Sequence, residues 1–417
     1  MGYKYIEHEL GDVLTEIFSG GTPNTQKKDY WNGDLHWLSS GETRNRVIKE
    51  TEKSITELGA QNSSTKLAKR GDVVMASAGQ GFTRGQTSII EIDTYINQSL
   101  IALRGNPQTI DNKYLFYNLS SRYQELRMIS DSSSIRGSIT TKMLKKMKIM
   151  LPNIEKQKSV SSFLWDLDKK IDINKAIINN LDQLSQILFK QWFIDFEFPN
   201  EEGKPYKSSG GEMVESELGE IPKGWSTKSL DEIAKFQNGL AMQKFRPKEN
   251  ADSLPVLKIK ELNQGNTTLN SERCSLNIKQ EVKVFDGDVI FSWSGTLLVK
   301  LWTGGDAGLN QHLFKVTSEK YEKWFYYLWT KYYLKVFQAR AAEKATTMGH
   351  IKRSHLKEAK IYLPPEKVLT RATDLIQPLI EKIIILGIEN KNLTQLRDTL
   401  LPKLLSGEIE IPDDMEV

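Results

Sequence analysis

The chain has 417 residues, of which 39% are hydrophobic and 26% charged, with a formal net charge of +4 and one cysteine, Cys274. That length allows two or three domains, each with its own core, and one cysteine excludes a disulfide framework and a cysteine-based zinc finger. Met1 to Leu10 carries His and Glu where a signal peptide needs an apolar core, and no run approaches the ~18 apolar residues of a membrane span, so a cytoplasmic location is expected.

Residues 1–152 read as a mixed α/β domain, with short β-rich runs such as Val73 to Ser77 and Thr87 to Ile92 between Gly-rich turns. From about Glu155 to Phe196 there is no proline or glycine, and Val160, Leu164, Leu167, Ile171, Ile178, Leu181, Leu188 and Trp192 recur on a helical spacing. Residues 153–198 are therefore predicted as a long helix with a coiled-coil seam, roughly 60 Å at 1.5 Å per residue. Residues 199–223 are rich in Gly, Ser, Pro and Glu and read as an exposed linker. A second mixed domain follows over 224–364, and 365–417 form a second helical segment and tail. Its seam is Ile376, Leu379, Ile383, Leu386, Leu393, Leu400 and Leu404; Pro378 is expected to kink or break it and Gly387 to weaken it.

The two halves repeat each other. Gly71-Asp72-Val73-Val74 returns as Gly287-Asp288-Val289-Ile290, and Asn97, Gln98 and Leu100 return as Asn310, Gln311 and Leu313. Gly137, Ile139, Leu144, Ile149, Leu151 and Pro152 return as Gly349, Ile351, Leu356, Ile361, Leu363 and Pro364 at a constant offset of 212, which also maps Asn180, Leu181, Gln183 and Leu184 onto Asn392, Leu393, Gln395 and Leu396. So long a period points to two copies of one domain-plus-helix unit rather than to a solenoid. The expected architecture is α+β: two mixed α/β domains separated by two long antiparallel coiled-coil helices and related by a pseudo-twofold. Asn174 and Asn390 lie on the seam, where they either fix register or sit at its frayed edge.

Catalytic signatures are sparse. There is no G-x-x-x-x-G-K-[ST] phosphate loop, the five histidines show no metal spacing, and Gly-Asp ahead of each apolar strand reads as a turn. No Asn-Pro-Pro-aromatic tetrapeptide of an amino-methyltransferase occurs. Binding chemistry is better represented. Residues 136–148 hold Arg136, Lys142, Lys145, Lys146 and Lys148 with no acid, while 201–220 hold six acids against two lysines, so the charge is patchy. Lys and Arg neutralise DNA phosphates, and Arg, Lys, Asn, Gln, Ser and Thr read base edges. The Gly-rich loop Ala78 to Gly85 and the hydroxyl-rich, basic loops Ser132 to Lys142 and Lys344 to Lys352 have that chemistry; each taken singly is also compatible with an ordinary polar loop. Trp293 with Ser294 and Thr296 is a weaker candidate, since Trp293 suits the core equally. The candidate DNA contacts are Thr22, Lys27, Lys28, Arg44, Arg46, Gln80, Thr83, Arg84, Ser134, Arg136, Ser138, Thr140 and Lys142 in the first half. In the second they are Lys244, Arg246, Lys260, Asn263, Ser294, Thr296, Lys344, Thr346, Thr347, His350 and Lys352.

Ser19-Gly20-Gly21-Thr22-Pro23, followed by Tyr30-Trp31-Asn32-Gly33-Asp34 and Trp37, resembles the opening of a target-recognition domain in the specificity subunits of type I restriction-modification systems. Gln191-Trp192-Phe193 with Asp195-Phe196, then Gly219 to Trp225, resembles their central conserved region, and Leu400 to Glu408 their C-terminal ending. In the second domain Asn238-Gly239 replaces the Ser-Gly-Gly-Thr-Pro opening. The resemblance implies a non-catalytic subunit that reads a bipartite, asymmetric DNA target, with the helices as a ruler between the halves. It implies two modification (methyltransferase) subunits and restriction (motor and nuclease) subunits as partners. S-adenosylmethionine, ATP and Mg would be bound by those partners, with no cofactor in this chain. The competing reading of the same residues is a stand-alone tandem-domain sequence-specific DNA-binding protein.

Overall fold

A computed structural model describes residues 5–79, 81–131, 137–249, 251–343 and 349–411, with the backbone alone at 343. It divides into two units, residues 1–169 with 395–417 and residues 170–394, so each unit contains a portion of both long helices.

In the first unit a five-stranded sheet runs in the order Leu14–Ser19, Leu100–Gly105, Val73–Ala76, Thr87–Ile90, Val47–Ile48. The first four strands pair antiparallel, and Val47–Ile48 lies parallel to its neighbour. Both faces are covered. Val73, Met75, Ile89 and Ile101 pack against helix Asn112–Ser121 and the start of the first long helix, whereas Val74, Ala76, Ile90 and Leu100 pack on Leu38, Ala68 and Ile96 of a second sheet. This double burial explains why Val73 to Ala76 reads as a continuous apolar run rather than an alternating one. The second sheet has the order Lys53–Ile55, Trp31–Leu38, Thr94–Ile96, Lys66–Ala68, and a short ribbon pairs Ile6–Glu9 with Lys148–Leu151.

The second unit repeats this topology strand for strand, apart from the edge strand Val47–Ile48. Its central sheet runs Lys235–Asn238, Leu313–Thr317, Val289–Ser292, Leu298–Leu301, and its second sheet Arg273–Ser275, Ser253–Leu257, Ala307–Leu309, Lys283–Val284. The ribbon is Ser226–Ser229 with Lys360–Leu363. Phe291, Phe314 and Val316 face helix Lys323–Glu343, and Ile290 faces the second sheet.

The repeated Gly-Asp pairs are turns. Asp72 Oδ2 accepts from Lys69 N at 2.8 Å, Asp288 Oδ2 from Phe285 N at 2.8 Å, and both glycines adopt φ of 90°. The same carboxylates hold cations beside the sheet: Arg104 is bidentate on Asp72, and Lys315 lies 2.7 Å from Asp288.

The long helices run Ile154–Phe193 and Glu366–Ser406, the first ending three residues before the predicted Phe196, which takes a left-handed conformation at φ 61°. Within the first unit Asp168 meets Arg397 and Lys156 Nζ reaches the Ile411 carbonyl, an antiparallel pairing around Val160, Leu164, Leu401 and Leu404. Within the second unit the pairing is again antiparallel: Asn174 Nδ2 donates to Asn390 Oδ1 at 3.0 Å and to Glu389 Oε2 at 2.9 Å, while Phe193 meets Trp324, whose Nε1 donates to Thr373. Asn174 is fully buried, so the pair serves as a register lock rather than a frayed edge.

Two expectations are corrected in part. The second helix is not broken at Pro378 or Gly387. Burial of Ile376, Ile380 and Ile383 in the core holds the segment around Pro378. At Gly387 an added Cβ would meet Thr303 Oγ1 at 2.6 Å, so glycine admits the loop that follows Leu298–Leu301. Residues 199–223 are largely exposed, as expected, but they are structured, carrying the hairpin Met213–Ser216 with Gly219–Pro222. Phe196 and Phe198 are buried against Trp225 at ring-centroid distances of 5.5 and 5.2 Å, and Tyr206 stacks on Phe198 at 4.6 Å. Aromatic residues at both rims supply apolar surface that has no period for sequence inspection to detect.

Candidate nucleic-acid interface

At one end of the central sheet of each unit the same set of turns is held by the same backbone bonds. In the first unit Gly21 N donates to Ile96 O at 3.0 Å, Ser77 N to Ser99 O at 2.8 Å, and Ile139 N to Ser77 O at 2.8 Å. In the second, Leu240 N donates to Leu309 O at 2.9 Å, Trp293 N to His312 O at 3.4 Å, and Ile351 N to Trp293 O at 3.0 Å. The Asn-Gln turns match as well: Asn97 Oδ1 accepts from Ser99 N at 3.0 Å and Asn310 Oδ1 from His312 N at 3.2 Å. Gly20 and Gly239 are equivalent because their backbones lie on the next strand too closely for a side chain; a Cβ would overlap the Ile96 carbonyl in one case and the Asn310 carbonyl in the other.

On this common frame the side chains differ. Ser77, Ser99 and Ser138 of the first unit stand where the second has Trp293, His312 and His350. The Trp293 ring lies 6.0 Å from His312 and 6.4 Å from His350, and Ser294 Oγ is 2.9 Å from His312 Nδ1. Trp293 Nε1 is buried and has no hydrogen-bond partner among the described residues.

The remaining candidates divide by environment. Lys28, Lys142, Lys244, Arg246, Lys260, Thr296, His350 and Lys352 are exposed. Thr22 is bonded to Gln98, and Lys27 Nζ to Tyr30 Oη at 3.0 Å. Thr83 and Ser138 are half-buried, and Thr140 Oγ1 caps helix Thr141–Lys145 by accepting from Met143 N at 3.2 Å. Asn263 is exposed, and its carbonyl accepts from Lys300 Nζ at 2.7 Å; burial lowers the Lys300 pKa. Arg44 pairs with exposed Glu52. Gln80, Ser134, Arg136, Lys344, Thr346 and Thr347 lie outside the described residues.

Arg84 and Arg46 have structural ties. Arg84 is buried, pairs with Asp131 and occupies the space where Gly137 lacks a side chain, clipping the Gly-rich turn to the neighbouring loop. Arg46 lies 4.9 Å over the Phe116 ring and 3.2 Å from Asp168. Asp168 also accepts from Tyr117 Oη at 2.7 Å and pairs with Arg397. Burial pushes the Asp168 carboxyl up, but Arg46, Arg397 and the Tyr117 bond outweigh it and hold the pKa below the ordinary value. Burial, then Asp168, raises the Tyr117 phenol, keeping it a neutral donor. The second unit answers with a different set: Tyr327 Oη donates to Asp182 Oδ1 at 3.2 Å, and Lys331 Nζ lies 2.6 Å from the same oxygen. Each domain is thereby tied to the first long helix through a buried tyrosine and a carboxylate, a feature without a local sequence signal.

A profile described as "Type I restriction modification DNA specificity domain" matches residues 4–183 and 222–395, once on each half. The chain belongs to that family. It is 29% identical to the "Type I restriction enzyme MjaIX specificity subunit" of Methanocaldococcus jannaschii, over 96% of this chain and 92% of that one. Identity is 23% to the "Type I restriction enzyme HindI specificity subunit" of Haemophilus influenzae, over 97% and 99%. Its fold is that of the type I restriction-modification S subunit from M. genitalium, with a TM-score of 0.58 over 96% of both chains at 14% identity. For a specificity-family chain, the twofold match to the profile and the paired turn clusters coincide: each matched segment contains one cluster. No described helix is long and apolar enough to cross a membrane.

Proposed function

We propose that this specificity-family chain is the non-catalytic DNA-reading subunit of a type I restriction-modification complex, and that each unit reads one half of a bipartite target through its turn cluster. One observation carries the reading: backbone bonds at the sheet end are the same in both units while the residues set on them are not, with buried Ser77 and half-buried Ser99 and Ser138 standing where the other unit has half-buried Trp293 and His312 and exposed His350. A shared frame with divergent side chains is what two readers of different sequence require. Exposed cations such as Lys28, Lys142, Lys244 and Lys352 supply phosphate contacts.

The helices serve as the ruler between half-sites and as the docking surface for modification subunits. Supporting this, Ile173, Ile177, Leu184 and Ile187 are exposed at positions that share one face of the first helix, and Ile173 and Leu184 recur at the 212-residue offset as exposed Ile385 and Leu396 on the second. Two such faces suit two copies of one partner. S-adenosylmethionine, ATP and Mg belong to the modification and restriction subunits. The test is co-expression with the modification subunit followed by genome-wide mapping of adenine methylation. A single bipartite motif is expected; methylation at scattered adenines, or at a single continuous motif, would overturn the reading.

A further inference from the structure

The turn between strands Val73–Ala76 and Thr87–Ile90 spans ten residues, 77–86, whereas its counterpart between Val289–Ser292 and Leu298–Leu301 takes five, 293–297. The longer turn presents Phe82, whose relative exposure is 74%. Among the described residues no other Phe or Trp is exposed. Burying a Phe ring is favourable, so a ring left in water on a loose tip would fold back onto nearby apolar surface. Around Phe82 the described backbone is tied down. Tyr123 Oη donates to the Phe82 carbonyl at 3.0 Å, Arg127 Nη1 donates to the Gly81 carbonyl at 2.8 Å, and Gly85 N donates to Ala76 O at 2.8 Å. Arg84 anchors the turn from below through Asp131. Gly81 sits at φ 63° with open space where a side chain would be, which leaves the approach to Phe82 clear.

A fixed backbone that holds an aromatic ring in solvent, at the sheet end assigned to DNA reading, has the form of an apolar wedge. Such side chains enter between adjacent bases, open a single base step and kink the duplex. We propose that Phe82 is a wedge that unstacks one base step in the half-site read by the first unit. The shorter turn of the second unit provides no counterpart, so the other half-site is left stacked. The ring replaces some of the base stacking it disrupts, and flexible pyrimidine–purine steps are the easiest to open. Phe82 therefore adds selectivity for a deformable step without reading a hydrogen-bond edge.

This inference rests on the DNA-reading proposal, and one experiment separates the two. The full chain with its modification subunit is bound to duplexes of its own methylation motif, with 2-aminopurine substituted in turn for each adenine, other than the methylated ones, in or directly flanking both half-sites. The wild-type complex should raise the fluorescence at one step of the first half-site, and only there. Phe82→Ala should abolish that rise and weaken binding about tenfold, the range found when a base-stacking side chain is truncated, while Phe82→Leu keeps the rise. Because the ring is exposed, neither substitution opens the core. Wild-type binding with no rise in the first half-site, or an undiminished rise with Phe82→Ala, would overturn the wedge and leave the reading of DNA intact. Weaker binding by Phe82→Ala from a wild-type complex that shows no unstacking would also overturn it, because the ring would then make only a groove contact. Failure of the wild-type complex to bind its own motif would overturn the DNA-reading proposal itself.

Discussion

Replacing Asp168 by Asn removes the charge that holds Arg397, Arg46 and Tyr117 together in the first unit. The Asp168 and Arg397 side chains are 12% and 11% exposed, so the substitution leaves a nearly buried guanidinium without its main counterion. Breaking a buried pair from one side costs about 3–5 kcal/mol. Arg397 keeps Asp398, Arg46 is 37% exposed, and an asparagine can still accept from Tyr117, which moves the expectation toward about 2–3 kcal/mol. That corresponds to a local opening equilibrium about 30- to 150-fold larger, read by hydrogen exchange of amides in 154–169 and 395–406. The pH dependence fixes the sign. The Asp168 pKa is lowered from 3.8, so its stabilisation is complete above that value and is lost as pH falls through the still lower folded value. The gap between wild type and Asp168→Asn should therefore be undiminished from about pH 7 to about pH 5 and close only in stronger acid. Opening less than about threefold faster, or a gap that already closes above about pH 5, would refute the account of the node.

Asn174→Ala should cost about 1–2 kcal/mol in urea denaturation, because buried Asn174 bonds both Asn390 and Glu389 and each is left short of a partner. A change within about 0.3 kcal/mol would show that the pair fixes nothing. Gly239→Ala should force the turn off the Asn310 carbonyl and lower the melting temperature of the second unit, and in a methylation map it should relax the half-site read by that unit alone. An unchanged melting profile and motif would remove Gly239 from the frame of the site.

Much of the fold was legible because it is repeated. The apolar runs after Asp72 and Asp288 and the helical seams carry periods that survive without tertiary information, and a twofold occurrence confirms each. The folded connection over 199–223 was not legible, because Phe198, Tyr206 and Trp225 stack across irregular spacing. Nor was the reason for a glycine at 387 inside the second helix, which is the close approach of Thr303. At the candidate site, composition drew attention to loops but not to the placement of individual side chains. Arg84 looks like a base reader among glycines yet packs beneath them, while Phe82, two residues earlier, has no polar group to draw notice and stands in solvent. Charge and hydroxyl content mark a surface; only the backbone bonds decide which residue reaches out of it.

The central claim is that two units read two half-sites independently. Exchanging residues 1–150 for the matching domain of another member of the family, then mapping adenine methylation with the same modification subunit, tests it most directly. The account predicts that one half of the bipartite motif changes while the other half and the gap between them stay as they were. A motif altered in both halves, or in neither, would contradict it.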